Sequence, residues 1–179
     1  MLNKNKVILP QEMETALEAL KNSALKLRQL STEKKNEVLV TLAKNLLTQS
    51  SFILSENSKD LAKLSAESSQ AFRDRLTLTP SRISSLVEGL KQVALQPDPV
   101  HELVEKRTLP NGLQLKKIRA PLGILFMIFE SRPNVILECF SLAFKAGNGI
   151  ILRGGSESQH SNKVIFKIME ETLVNCNLS

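Results

Sequence analysis

The stretch PLGILFMIFESRPNVILECFSLAFKAGNGIILRGGSESQH, residues 121–160, decides the fold. Leu122 to Phe129 is a continuous apolar run of strand length, as expected of a strand covered on both faces. Asn134 or Val135 then opens a helix whose polar residues, Glu138, Ser141 and Lys145, lie in one narrow stripe, so the helix must be deeply packed. Ala146-Gly147-Asn148-Gly149 ends it with residues that tolerate a left-handed cap. Ile150-Ile151-Leu152 reads as a short buried strand and Gly154-Gly155 as a tight turn. Ser156 or Ser158 caps a last helix that runs to about Val174. Strand, helix, strand, helix is one βαβα unit of a parallel sheet, so the fold class is α/β with an incomplete Rossmann-like domain. Two strands do not complete such a sheet, and Ser179 falls where a third βα unit would start. The chain therefore reads as the front part of a larger architecture.

Upstream the grammar differs. Asn111-Gly112 separates two alternating segments, Val104 to Leu109 and Leu113 to Arg119, which is a strong hairpin signal. Pro110 shortens the first strand and marks an edge. Residues 11–95 read as helices. Met13, Ala16, Leu17, Leu20, Ala24 and Leu27 form one apolar stripe, and Ser31 caps a second helix with Glu33 in its first turn. Phe52 to Leu64 forms another helix, Ser65 to Gln70 is polar and looser, and Thr79-Pro80 starts a helix that stops at Pro97-Asp98-Pro99. The division is a helical region over 1–100, a hairpin over 101–120 and a sheet-forming region over 121–179. The helical region shows no catalytic constellation.

Composition narrows the function classes. The chain has 179 residues, 42% of them hydrophobic, and a formal charge of +6, with a pI near 9.4. It can bury a core. The positive charge invites a nucleic-acid reading, but Lys and Arg alternate with Glu and without the aromatic platforms that single-strand binders use. Most of it is solvated helix face, and the expectation is no nucleic-acid and no membrane partner. Two cysteines, Cys139 and Cys176, make neither a disulfide framework nor a zinc site, which fits a reducing cytoplasm. Lys4 and Lys6 precede Val7-Ile8-Leu9-Pro10, which is no leader core, so no signal peptide is expected. His160 and His101 have no metal-ligating neighbours in sequence, and no metal is expected.

Two polar constellations follow the strands. Glu130-Ser131-Arg132-Pro133-Asn134 stands at the carboxyl end of the long strand, where open α/β sheets bind ligands. Arg132 suits a bidentate grip on phosphate or carboxylate, and the Asn134 amide suits a developing oxyanion. The plainer alternative makes Asn134 a helix cap and Arg132 a surface cation. Arg153-Gly154-Gly155-Ser156-Glu157 is the second: two glycines let backbone approach a ligand, and a helix start favours anions. A purely structural glycine turn is the alternative there. Cys139 reads as a core residue and Cys176 as an exposed thiol, neither with an activating neighbour.

RAPLG (119–123), MIFESRPNV (127–135), ILRGGSE (151–157) and HSN (160–162), with DRL (74–76) and PDPV (97–100), together resemble the gamma-glutamyl phosphate reductase family of the aldehyde dehydrogenase superfamily, over nearly the whole chain. The resemblance implies NADPH-dependent reduction of L-glutamyl 5-phosphate to glutamate 5-semialdehyde in proline biosynthesis, through a cysteine thioester. It implies NADP(H) as cofactor, held by Glu130, Ser131, Arg153, Gly154, Gly155 and Ser156. Arg153 would take the adenosine ribose or its 2′-phosphate, and Ser156 stands where NAD-preferring relatives carry a glutamate. Arg132 and Asn134 would face substrate or oxyanion, and the hairpin resembles an oligomerisation arm, which implies a homo-oligomer. Two departures stand out. Where the family pattern resembles PLGVIGMIYESRPNV, this chain has Phe126 for a packed glycine and Phe129 for a tyrosine. Neither cysteine matches the nucleophile's motif, so no catalytic nucleophile is assigned, and a non-catalytic remnant that binds nucleotide or self-associates is the competing reading.

Overall fold

Local serine and threonine caps start three of the α-helices in the computed structural model, which describes residues 10–178. Lys4, Lys6 and the Val7–Leu9 run read for a leader lie outside the described residues, as does Ser179. Helix α1 spans Gln11–Leu27, α2 Thr32–Thr48, α3 Ser50–Ala62, α4 Gln70–Leu76 and α5 Pro80–Leu95. The Ser31 hydroxyl accepts from the Lys34 N–H at 3.2 Å and Thr79 from Arg82 at 3.1 Å, as their sequence positions predict. The short helix α4, not marked out by sequence within the helical region, begins at the end of the looser polar stretch; Ser69 caps it through the Phe72 N–H.

The hairpin consists of β1, Leu103–Thr108, and β2, Gln114–Ile118, paired antiparallel with a register shift between Leu103 and Glu105. Its loop has three residues, not two. Leu109 and Leu113 still pair, Gly112 takes a positive φ of 83°, and Asn111 accepts from the Leu113 N–H. Pro110 therefore occupies the loop itself, and every residue of both strands is exposed.

Strand β3, Ile124–Ile128, pairs parallel with β4, Gly149–Arg153, around α6, Asn134–Lys145; a single 3₁₀ turn, Ser156–Ser158, leads into α7, Gln159–Asn175. This is the expected βαβα unit. Gly147 turns the chain out of α6 at φ 71°, where a β-carbon would meet Pro121 at 3.0 Å, and the Asn148 side chain accepts from Gly123 N–H. The two sheets have two strands each.

One core crosses the whole chain. Val38, Leu39, Leu42 and Leu46 of α2 pack with Val87 and Leu90 of α5, and continue into Leu137 and Phe140 of α6 and Ile165 and Ile168 of α7. The βα unit is thus folded onto the helical region, which supplies the cover for α6 and α7. Cover is lacking elsewhere. β3 was expected to be covered on both faces, yet Ile124, Phe126, Met127 and Ile128 are exposed, Phe126 by 63%. Among the described residues α1 and α6 are the main helices packed on this pair of strands, and α1 is itself only partly covered: Met13 and Ala16 of its apolar stripe are exposed, Leu17, Leu20 and Leu27 are half-buried and Ala24 is buried. Phe126, which replaces a glycine of the family pattern, therefore overpacks nothing among the described residues. Only Glu138 of the α6 polar stripe reaches the surface; Ser141 and Lys145 are buried. Cys176, expected to be exposed, is 3% exposed because the chain beyond α7 folds back on the core.

Among the described residues no single helix is long and apolar enough to cross a membrane.

Candidate functional site

Parallel pairing brings the two polar constellations side by side. Ile128 is in register with Arg153, and the Phe129 N–H donates to the Arg153 carbonyl at 3.0 Å. Both loops therefore leave the carboxyl edge of the same two strands, the position where open α/β sheets take ligands.

The loops are locked together by Ser131. Its side chain is buried, and its hydroxyl donates to Oε2 of Glu157 at 2.6 Å. That bond, with those from the Glu157 N–H and Ser156, holds the Glu157 carboxyl below its ordinary range. Gly155 is required here, because a β-carbon would stand 2.0 Å from the Ser131 hydroxyl oxygen. Gly154 is required too: its β-carbon would meet Asn162 at 2.6 Å and the Phe129 ring at 2.9 Å. The space that the two glycines leave is filled by the protein's own side chains, so their first role is to close the turn. Phe129 fills its place with an edge of the ring and no hydroxyl.

Arg153 stays exposed beside this turn, its guanidinium donating to the Gly154 carbonyl, and Ser156 is exposed next to it. No carboxylate occupies position 156, and the Glu157 carboxylate is held by Ser131. The turn therefore offers an exposed guanidinium that is engaged with one backbone carbonyl, while the Glu157 carboxylate is held by Ser131.

On the opposite side, Arg132 and Asn134 line a cleft of about 380 Å³ with Asp74, Arg75, Arg82 and Glu138. Asn134 is the first residue of α6 and its side chain caps nothing; the amide donates to Glu138 at 2.9 Å. The Arg132 Nε is buried without a hydrogen-bond partner, and the Oε2 of Glu130 lies 3.5 Å from it. Glu130 and Ser131 thus part company: Glu130 turns to the arginine cleft and Ser131 to the glycine turn. Arg75 and Arg82 were not assigned a role from sequence. Their signal in the sequence was their place in family-like motifs, Asp74-Arg75-Leu76 and Arg82-Ile83.

The helix that follows the glycine turn is capped from a distance. Neither Ser156 nor Ser158 accepts from its first N–H groups; Ser158 instead donates to the Gly155 carbonyl. Asp60 of α3, 2% exposed, accepts from the His160 N–H at 2.9 Å, the Ser161 N–H at 2.8 Å and the Ser161 hydroxyl at 2.7 Å. Asn57, one turn earlier, donates to Ser161 and to the Leu76 carbonyl and accepts from the Leu78 N–H. This pair ties the glycine turn and the arginine-bearing loop to one helix.

Known proteins share this fold. No family model matches the chain. The gamma-glutamyl phosphate reductase of a Geobacillus species (strain WCH70) is 46% identical over 163 residues, covering 90% of this chain and 40% of that protein. The chain is a homologue of the amino-terminal part of gamma-glutamyl phosphate reductases. The crystal structure of that reductase from Thermotoga maritima superposes with a TM-score of 0.86 at 33% identity, over 93% of this chain and 40% of that one. An NAD-dependent benzaldehyde dehydrogenase from Corynebacterium glutamicum, 17% identical with a TM-score of 0.68 over 89% of this chain and 33% of that one, shares the fold. The chain spans about two-fifths of the length of the reductases it matches.

The cysteines do not supply a nucleophile by their surroundings. Cys139 is half-buried on α6, where burial and then the Glu138 charge push its thiol up. Cys176 is packed in the core.

Proposed function

We propose that these residues form the amino-terminal portion of a cytoplasmic gamma-glutamyl phosphate reductase that reduces L-glutamyl 5-phosphate with NADPH in proline biosynthesis. The observation that carries the reading is the joining of the two strand-end loops by Ser131 and Glu157, with an exposed Arg153 beside one loop and Arg132 and Asn134 on the other. NADPH, when bound, supplies the hydride. Arg153 and Ser156 hold its 2′-phosphate. Gly154 and Gly155 keep the turn tight, with Ser131 as its internal support rather than a free donor. Arg132 grips the anionic end of the substrate, and Asn134 presents an amide to the oxygen that gains charge. The attacking thiolate comes from outside these 179 residues, since neither thiol here is activated.

A chimera tests this. With the present chain in place of the matched portion of the Geobacillus reductase, the enzyme is expected to oxidise NADPH in the presence of glutamyl phosphate. Its Cys139→Ala, Cys176→Ala variant should keep that activity. Arg153→Ala should lose about 1.5–3 kcal/mol of preference for NADPH over NADH, while Lys163→Ala changes little. A folded but inactive chimera overturns the reductase reading. An unchanged preference overturns only the role of Arg153.

Self-association through the hairpin accompanies this reading. β1 and β2 are exposed on both faces and leave their outer edges unpaired. Light scattering should give a mass above 19.9 kDa at micromolar concentration, and Val104→Lys with Leu115→Lys should return it to the monomer. A monomer throughout that range counts against the arm.

A further inference from the structure

We propose that Arg75 and Arg132 are the two prongs of a phosphoryl clamp, filled by the chain's own Glu130 until a phosphorylated ligand displaces it. The two guanidinium groups come from unrelated parts of the chain, α4 and the loop after β3, and converge on one carboxylate oxygen. Arg75 Nη1 and Arg132 Nε each lie 3.5 Å from Oε2 of Glu130. Charge-assisted N–H···O bonds close to about 2.7–2.9 Å when the geometry suits them. The single shared oxygen serves neither prong well, and Arg132 Nε is left buried without a hydrogen bond. A phosphoryl group brings three acceptor oxygens on a tetrahedral centre, and can give one to each arginine.

Arg82, also in the cleft, is not a third prong. Its guanidinium makes a two-oxygen contact with Asp74 at 2.9 and 3.0 Å and donates to the Thr77 and Asp74 carbonyls. It fixes the carboxyl end of α4, on which Arg75 stands. The neighbouring Leu76 is fully buried and its carbonyl accepts from Asn57, so the Arg75 backbone is held from both sides. Glu130 is the most exposed of the three clamp residues, its side chain 68% exposed against 48% for Arg75 and 43% for Arg132. The cleft offers room of about 380 Å³. That the phosphoryl group belongs to the substrate rests on the reductase reading; that the clamp binds one rests on the geometry alone.

The test uses the 179-residue chain with inorganic phosphate as probe, at constant ionic strength, reading the arginine Nε–H resonances by NMR. Saturable shifts are expected at Arg75 and Arg132. Arg75→Gln should weaken binding about tenfold, because one charge-assisted contact is lost. Glu130→Gln should tighten it by roughly three- to tenfold, since the resident competitor loses its charge. The exposed Arg75–Glu130 pair contributes little to stability, so both variants should fold. Glutamate, a source of carboxylate alone, should bind more weakly than phosphate. Unchanged phosphate affinity in Arg75→Gln, weaker binding in Glu130→Gln, tighter binding of glutamate, or a response confined to Arg153 each overturns the clamp. A clamp that responds while NADPH leaves Arg153 unmoved supports it and counts against the nucleotide assignment instead.

Discussion

Asp60→Ala is expected to lower the unfolding free energy by about 3–4 kcal/mol, as measured by urea denaturation followed by circular dichroism. The carboxylate is buried and accepts three hydrogen bonds, from the His160 and Ser161 N–H groups and the Ser161 hydroxyl. Removing it leaves three donors at the start of α7 without their acceptor, those of Ser161 fully buried, and also removes a negative charge from a helix N-terminus. Asp60→Asn should recover less than half, since its amide must point one donor at another. Ser156→Ala, at a position the sequence offered as the cap, should cost under about 0.5 kcal/mol. A loss below about 1 kcal/mol in Asp60→Ala would mean that α7 is capped by other means.

Asp98→Asn is expected to cost about 3–5 kcal/mol in the same assay, because it leaves buried cations without a counter-charge. Lys35 is 0% exposed and Lys145 is 3% exposed. Lys35 Nζ donates to Asp98 Oδ2 at 2.8 Å and to the Lys145 carbonyl at 3.3 Å. Lys145 Nζ donates to Asn36 and, at 3.0 Å, to the Ala94 carbonyl. One carboxylate thus faces two ammonium groups where α2, the end of α5 and α6 meet. Burial pushes the Asp98 carboxyl up, but the Lys35 bond, with those of the Val100 N–H and Thr32, overcomes it and holds the group below its ordinary value. A lowered folded pKa means a contribution present above the unfolded value and lost as pH falls through the folded one. The wild type should therefore lose stability below about pH 4, and Asp98→Asn should lack that loss. For Lys145 burial, assisted by Lys35, lowers the pKa despite Asp98. The folded state then releases this proton first, so stability gains as pH rises from the folded value toward about 10.4, and Lys145→Met removes the gain. Identical pH profiles for wild type and Asp98→Asn would overturn this account.

Much of the fold is legible in the sequence because its signals are local. The Ser31 and Thr79 caps, the Pro97-Asp98-Pro99 stop and the glycine exit at Gly147 each act within a few residues, and each stands where the sequence places it. The βαβα order from Ile124 to Asn175 follows from apolar run lengths alone. The family likeness is legible for a related reason: its motifs sit at strand ends, where spacing along the chain keeps them in one place.

Partner choice is not legible, because it joins residues about a hundred positions apart. Ser156 and Ser158 have the right chemistry for the cap of α7, but Asp60 reaches those N–H groups first, and with a full charge. Lys145 looks like the polar edge of α6, yet its ammonium lies inside because Asn36 and Ala94 receive it there. Gly154-Gly155 reads as an opening for ligand, and packing fills it with Phe129 and Ser131. Arg75 stands in a family-like DRL motif but has no assigned role until the fold sets it against Arg132 across Glu130. By itself, then, the sequence determined the elements, their order and the strand-end motifs, since these depend on periodicity, caps and turns within one segment. Only the tertiary structure decided which charges are buried and which arginines converge, because burial and Coulomb interaction act through space between segments that the chain does not place side by side.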